Sequence, residues 1–263
     1  MTLPRLTIVT PSLNQGAFIE RTINSVLNQC GDFDLEYLVM DGGSRDQTRQ
    51  VLERYAGQLH ARIEQDRGQA DAVNKGLRAA TGDILGWVNS DDVLLPGALD
   101  AVARAFATHS GLGWLHGRCQ IIDEDDRQVR LWLAAYKDFR SRRHTFERLL
   151  LENYVSQMTV FWRRELMERV GLLDESLHYT FDYDLWLRFA KEEPPLFMEQ
   201  ALAAFRWHAG SKSGSGFERQ FSEDYAVFLR HAPPSSALRL RKRLRSWRIV
   251  LAYRLLAALR RGS

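Results

Sequence analysis

The chain has 263 residues, 45% of them apolar and 26% charged, with seven prolines and two cysteines. That length and ordinary apolar content suit one large α/β domain or two small ones, and exclude a disordered, collagenous or low-complexity chain. The net charge of +3 hides an uneven distribution: nine Lys/Arg and no Asp/Glu lie between Ala237 and Ser263, leaving 27 basic against 33 acidic residues before them.

Cys30 and Cys119 are too few for a disulfide framework, and no CxxC or Cys/His cluster suggests zinc. Met1–Arg5 leads straight into Leu6-Thr-Ile-Val-Thr10 without a signal-peptide apolar region, and no uncharged apolar run is long enough to span a bilayer. These features predict a soluble protein of a reducing compartment.

In chain order, Leu6–Thr10 is a buried-strand candidate and Ala17–Gln29 has helical spacing. Leu35–Met40 is the next strand, Asp46–Tyr55 a helix, Ala61–Glu64 a short strand, Gln69–Ala80 a helix and Asp83–Val88 a fourth strand. This alternation predicts a mostly parallel sheet wound with helices. Further on, Trp114–Ile122 and Val129–Leu133 suggest a hairpin around the acidic turn Asp123–Asp126. Phe146–Leu151 and Arg164–Val170 are helical, Val155–Trp162 is strand-like, Tyr183–Lys191 is a short helix, and Leu196–Arg206 is a strand. Gly210–Gly216 predicts a flexible Gly/Ser loop.

Polar clusters recur after the early strands: Thr10–Asn14, Asp41–Ser44, Asp66–Gly68 and Asn89–Asp92. Ligands of open α/β sheets bind outside the carboxyl ends of strands, so these loops predict one shared site. Neither a dinucleotide fingerprint, a P-loop nor a GxSxG elbow is present. Asp91 and Asp92 are adjacent carboxylates that repel unless a divalent cation or hydroxyl donors divide their roles; the plainer alternative is a solvated helix cap.

The series Thr10-Pro-Ser-Leu-Asn-Gln15, Asp41-Gly-Gly-Ser-Arg-Asp46, Asp66–Ala72, Asn74-Lys-Gly76 and Gly86–Asp92 closely resembles family 2 glycosyltransferases of the bacterial surface-polysaccharide type. The likeness resumes at Phe181-Asp-Tyr-Asp-Leu-Trp-Leu-Arg188 and Phe205–Ser213. It implies a GT-A fold, an α/β architecture with a mixed, mostly parallel sheet flanked by helices. One domain would span 1–232, with the nucleotide-sugar half in about 1–100 and the acceptor half in about 101–232, and a basic amphipathic helix would follow over 233–263.

The resemblance also implies roles. Thr10, Pro11, Ser12 and Asn14 would line the nucleotide pocket, with Asp41 accepting from a ring N–H. Arg67 would meet the nucleotide or phosphate, or else form a surface ion pair; Asn74 and Asp91 would complete donor binding. Asp92 and His208 would hold Mg²⁺ or Mn²⁺, although imidazole is a less typical partner for Mg²⁺ than oxygen. Inverting transfer needs a carboxylate to take the acceptor proton. Asp182 aligns with that base, Phe181 replaces the usual Glu, and Asp184 is the alternative. Ser211, Lys212 and Ser213 would form a lid, and Trp132 or Tyr136 would contact the acceptor.

The expected activity is transfer of a sugar from a nucleoside diphosphate, UDP first, to a growing glycan or lipid-linked glycan. Residues 237–263 read as a peripheral membrane contact on the inner face of the cytoplasmic membrane, because Leu240, Leu244, Trp247, Leu251 and Leu255 share a helical stripe among cations. The acidic body argues against nucleic acid. Competing readings are a nucleotidyltransferase, which would carry a glycine-rich loop after the first strand, and a non-catalytic membrane scaffold with a degenerate site.

Overall fold

The computed structural model describes residues 3–208, 210 and 217–245. β1 (Arg5–Ser12), β2 (Asp34–Asp41), β3 (His60–Ile63) and β4 (Ile84–Trp87) are parallel neighbours in the order β3-β2-β1-β4. The sheet continues through β7 (Val160–Arg163), β6 (Trp114–Ile122), β8 (Leu196–Arg206) and β5 (Val93–Leu94). β7 runs antiparallel to β4 and β6, β8 runs parallel to β6, and β5 is antiparallel to β8. The result is a mixed α/β sheet of eight strands.

β1 is buried from Leu6 to Ser12, as expected of a central strand covered on both faces. Its alternate side chains divide between two cores, as the two-residue strand period requires: Leu6 and Ile8 enter one, Val9 the other. The first core is filled by α1 (Ile19–Leu27), α2 (Thr48–Arg54) and α4 (Ala98–Thr108). The second is filled by α3 (Gln69–Ala79), α6 (Phe146–Leu151), α7 (Arg164–Val170) and α8 (Phe181–Glu192). At the centre of the second core Trp186 stacks between Trp87 and Trp114, at 5.6 and 6.1 Å between centroids. These tryptophans are core residues.

Two expectations are corrected. The turn Asp123–Asp126 forms, with a bridge between Ile122 and Gln128, but no second hairpin strand follows. Arg130 takes a left-handed conformation (φ 52°), and the chain becomes helix α5 (Leu131–Ser141), in keeping with its Leu- and Ala-rich sequence. The strand expected over 155–162 is confined to β7, preceded by a single 3₁₀ turn at Gln157–Thr159. Past the boundary expected at 232/233, the chain continues to pack against the body. α9 (Phe217–His231) is followed by a helix over 236–245, α10, whose Leu238 and Lys242 are buried against the body.

Candidate active site

The pairing register brings the ends of β1 and β2 level, Ser12 beside Asp41, with Ile63 of β3 next to Asp41 and Trp87 of β4 beside Val9. The four polar loops therefore leave one edge of the sheet. The first two are stitched together. The Asn14 N–H donates to Ser44 Oγ at 2.7 Å, and Asn14 Oδ1 accepts from the Arg45 N–H at 2.9 Å; Asn14 is itself left-handed (φ 53°), a conformation that Asn tolerates. Asp41 is buried and braces its own turn, accepting from the Gly43 and Ser44 N–H groups and from Ser44 Oγ. Thr10 is buried against Tyr37 Oη at 3.1 Å, and Pro11 is buried. Ser12 Oγ is a buried hydroxyl without a partner.

The loop after β4 carries the two adjacent carboxylates, and the structure separates them. Asp92 is fully buried: Oδ1 accepts from the Arg206 N–H at 2.9 Å and Oδ2 from Asn89 Nδ2 at 3.1 Å. Burial, followed by the adjacent Asp91, pushes its carboxyl well above the usual range. Asp91 is partly exposed and lies 3.0 Å from His208 Nε2. Asp91 thus lies beside the buried His208, while Asp92 anchors the end of β8.

Arg206, buried in full, pairs with Asp126 at 2.5 Å and donates to the carbonyls of Asp91 and Asp123. Phe18, just before α1, packs its ring 4.7 Å from that of His208. α1, the acidic turn and β8 thereby form one wall. Among the described residues no three His, Cys, Asp or Glu side chains form a ready metal cluster. Asp91 and His208 offer one carboxylate and one imidazole beside a second, frustrated carboxylate. This set fits a cation that takes its remaining ligands from diphosphate oxygens and water, as Mg²⁺ and Mn²⁺ do.

Opposite, α8 presents Asp182 and Asp184 in different surroundings. Asp184 is buried and committed to structure, 2.9 Å from Arg188 Nε and 2.8 Å from His231 Nε2 on α9; these partners hold its carboxyl below the ordinary value despite its burial. Asp182 is half-buried and has no ion pair among the described residues. Burial raises its carboxyl to about 6, against the opposing effects of the Tyr183 N–H, Lys137 and Asn153. Phe181 places its ring 6.3 Å from Trp87 at the end of β4, so the segment bearing Asp182 packs against the strand that leads to Asp91.

Two expected donor residues do not open to the crevice in this way. Asn74 is buried, joined to the Leu173 backbone in both directions and to Glu175 Oε1 at 2.9 Å. It ties α3 to the segment before α8, with both of its amide hydrogens committed there. Arg67 is 76% exposed, yet it forks between Asp71 at 3.1 Å and Glu175 at 2.5 Å. It lines a cavity of about 330 Å³ together with Gln69, Leu177, Tyr179 and Phe181, next to Asp182. A larger cavity, about 450 Å³, lies outboard of β3 beside Ser44 and Glu64, away from the paired carboxylates.

Trp132 is 72% exposed on α5, and Tyr136 Oη bonds Glu152 at 2.9 Å and Arg245 at 2.6 Å. The expected lid residues Ser211, Lys212 and Ser213 lie outside the described residues, as does the tail beyond Arg245. Sequence reasoning did not single out Asn153, Gln157 or Glu223, all of which contact this region. An amide in an irregular segment and a Glu in a helix carry no local signal; only the folded neighbourhood reveals them.

The mixed sheet flanked by helices has the GT-A fold. The profile of glycosyl transferase family 2 matches residues 7–171, and the chain belongs to that family. An uncharacterised glycosyltransferase of Rickettsia prowazekii is 24% identical, covering 86% of this chain and 72% of the relative. A PGL/p-HBAD biosynthesis glycosyltransferase of Mycobacterium bovis is 28% identical over 72% of this chain and 70% of its own.

Among solved structures, S. aureus TarS 1–349 in complex with UDP-GlcNAc superposes with a TM-score of 0.68 at 19% identity, covering 89% of this chain and 69% of that one. Mannosyltransferase PcManGT from Pyrobaculum calidifontis, in complex with GDP-Man and Mn²⁺, gives 0.65 at 19% identity over 99% and 76%. At such identities these likenesses establish the GT-A fold.

Proposed function

We propose that this glycosyltransferase moves a sugar, with inversion, from a nucleoside-diphosphate donor to a hydroxyl of a growing lipid-linked glycan in cell-surface polysaccharide synthesis. The observation that carries the reading is Asp182: a half-buried carboxyl without an ion pair among the described residues, poised at about 6, on a segment packed against the strand leading to Asp91 and His208. A base of that strength is ionised at neutral pH and still takes a proton readily. Asp182 accepts the acceptor's hydroxyl proton as its oxygen attacks the anomeric carbon, and the bond from that carbon to the diphosphate oxygen breaks.

Thr10, Pro11, Ser12, Asn14 and Asp41 shape the nucleotide end, where the unpaired Ser12 hydroxyl is available to a ligand. Arg67 borders the sugar side. Asp91 and His208 hold Mg²⁺ or Mn²⁺, with Asp92 fixing the strand end beneath them. Once bound, the cation neutralises charge on the departing diphosphate. UDP-GlcNAc in TarS and GDP-Man with Mn²⁺ in PcManGT support this donor class and this cation; a UDP-sugar is the first to try.

For the setting, the cationic segment 237–263 is read as a peripheral contact with the inner face of the cytoplasmic membrane. Exposed Leu240 and Leu244 on α10 support it, and no helix among the described residues is long and apolar enough to cross a bilayer.

The test is a panel of UDP-, GDP-, dTDP- and CMP-sugars with and without Mn²⁺, followed by nucleotide release in the presence of a lipid-linked acceptor mixture. Expected is cation-dependent release from one donor, reduced about 10²- to 10⁴-fold in Asp182→Asn and no longer responsive to Mn²⁺ in Asp91→Asn. Release that is indifferent to both substitutions would refute the assignment.

A further inference from the structure

Between Asp182 and the end of β4 lie two amide side chains, each with one end tied and the other end idle. Asn153 donates Nδ2 towards Asp182 Oδ2 at 3.5 Å, the outer limit of a hydrogen bond, while its Oδ1 is buried and unpartnered. Gln157 donates Nε2 to the Trp87 carbonyl at 2.7 Å, and its Oε1 is also buried and unpartnered. One amide is therefore attached to the base. The other is attached to β4, four residues before Asp91. Both belong to the short segment that joins α6 to β7, and the Phe181–Trp87 ring contact links the two attachment points.

Buried amide oxygens are rarely left unpaired, because each gives up its bond to water for nothing in return. Here two such oxygens occur four residues apart, both beside the reaction site. A purely structural amide would use both ends. The terminal torsion of Asn or Gln is soft, so either amide can re-aim its oxygen towards a ligand hydroxyl, at the expense of the bond its nitrogen now makes.

We propose that Asn153 and Gln157 are a hydroxyl-binding pair that orients a saccharide between β4 and Asp182, each amide oxygen accepting a hydrogen bond from a sugar hydroxyl. The inference rests on the transferase reading above and adds the residues that grip the sugar. Oxygen acceptors select a neutral, polyhydroxylated ring and disfavour a carboxylate or phosphate substituent at that position. The ring held is that of the donor or that of the acceptor, and the two sources separate experimentally.

Asn153→Ala and Gln157→Ala are compared with wild type by calorimetric titration with UDP, UDP-GlcNAc, GDP and GDP-mannose. Transfer to octyl β-glucoside and octyl β-galactoside is measured alongside, with Asp182→Asn as reference. If the pair grips the donor, each variant weakens nucleotide-sugar binding about fivefold to tenfold, while binding of the bare nucleotide stays within about twofold. If it grips the acceptor, donor binding is unchanged and the acceptor KM rises by a similar factor. Either result supports the pair.

Unchanged donor binding without an acceptor effect overturns it, and so does an equal loss of nucleotide and nucleotide-sugar, which would make the amides supports of the fold. Failure of the underlying reading looks different. Wild type would then bind none of the four ligands, or Asp182→Asn would transfer at the wild-type rate, and both readings would fall together.

Discussion

Asp182 shows how a single side chain trades stability for chemistry. Its carboxyl is raised to about 6 in the fold, against about 3.9 for an unfolded Asp. The folded state therefore binds its proton more tightly, and stability linked to this group is full below the unfolded value and falls as pH rises through about 6. Asp182→Asn should be more stable than wild type at pH 7.5, by on the order of 2 kcal/mol. In urea titrations that advantage should vanish near pH 4. A stability gap independent of pH would contradict the assignment. In the wild-type enzyme, kcat/KM should rise with pH along an acid limb centred near 6, because only the ionised carboxyl can accept a proton.

Helix α9 extends the argument to the neighbouring element. Glu223 accepts from three consecutive backbone N–H groups, His178 at 2.9 Å and Tyr179 and Thr180 at 2.7 Å, and from Thr180 Oγ1 at 2.8 Å. These bonds hold its carboxyl below the ordinary value even though burial alone would raise it. Their contribution is present above about pH 4.3 and is lost as pH falls through the folded value. They also fix the turn from which α8 starts, two residues before Asp182. Glu223→Ala should cost about 2–3 kcal/mol in urea unfolding and Glu223→Gln about half as much, since hydrogen bonds to a charged group are the stronger kind. Equal stability of all three forms would show the clasp to be idle.

Legibility differs between elements for the same reason. β1, β2 and β4 were readable because buried parallel strands are continuous apolar runs ending in turn residues. α5 was misread because Leu131-Trp-Leu133 is too short a run to separate strand from helix by period, and the reversal at Arg130 leaves no mark in composition. The loop motifs marked Asp91, Asp182 and His208 as candidates. Which carboxylate of each pair stays open depends on Arg206, Arg188 and His231, all distant in sequence.

At the scale of the molecule, the basic segment begins inside the domain. Lys242 on α10 is buried, 2.6 Å from Asp224 of α9, and Arg245 pairs with Glu152. Burial pulls Lys242 down and Asp224 up, so each charge depends on its partner. Lys242→Met should destabilise the protein by about 3–5 kcal/mol, because it leaves a buried carboxylate alone. Adding Asp224→Leu should restore most of that loss in thermal unfolding. Truncation after Arg245 should keep the wild-type unfolding midpoint while weakening co-sedimentation with anionic vesicles. Truncation after Ser235 should lower the midpoint as Lys242→Met does. Membrane binding by both truncated forms at the wild-type level would remove the membrane role from the tail.

The bond from the Arg206 N–H to Asp92 joins residues 114 positions apart. β5, next to Asp92, likewise pairs with β8. On a ribosome adding about 5–20 residues per second, roughly 6–23 s separate synthesis of the two partners. The first strands can pair during that interval, since β1, β2 and β4 find their neighbours within the first 90 residues. The loop carrying Asp91 and Asp92 cannot, because both its wall and its counter-charge arrive with β8. A nascent chain therefore pairs its first strands well before it can close the loop that carries Asp91 and Asp92, and refolding kinetics should show that closure last.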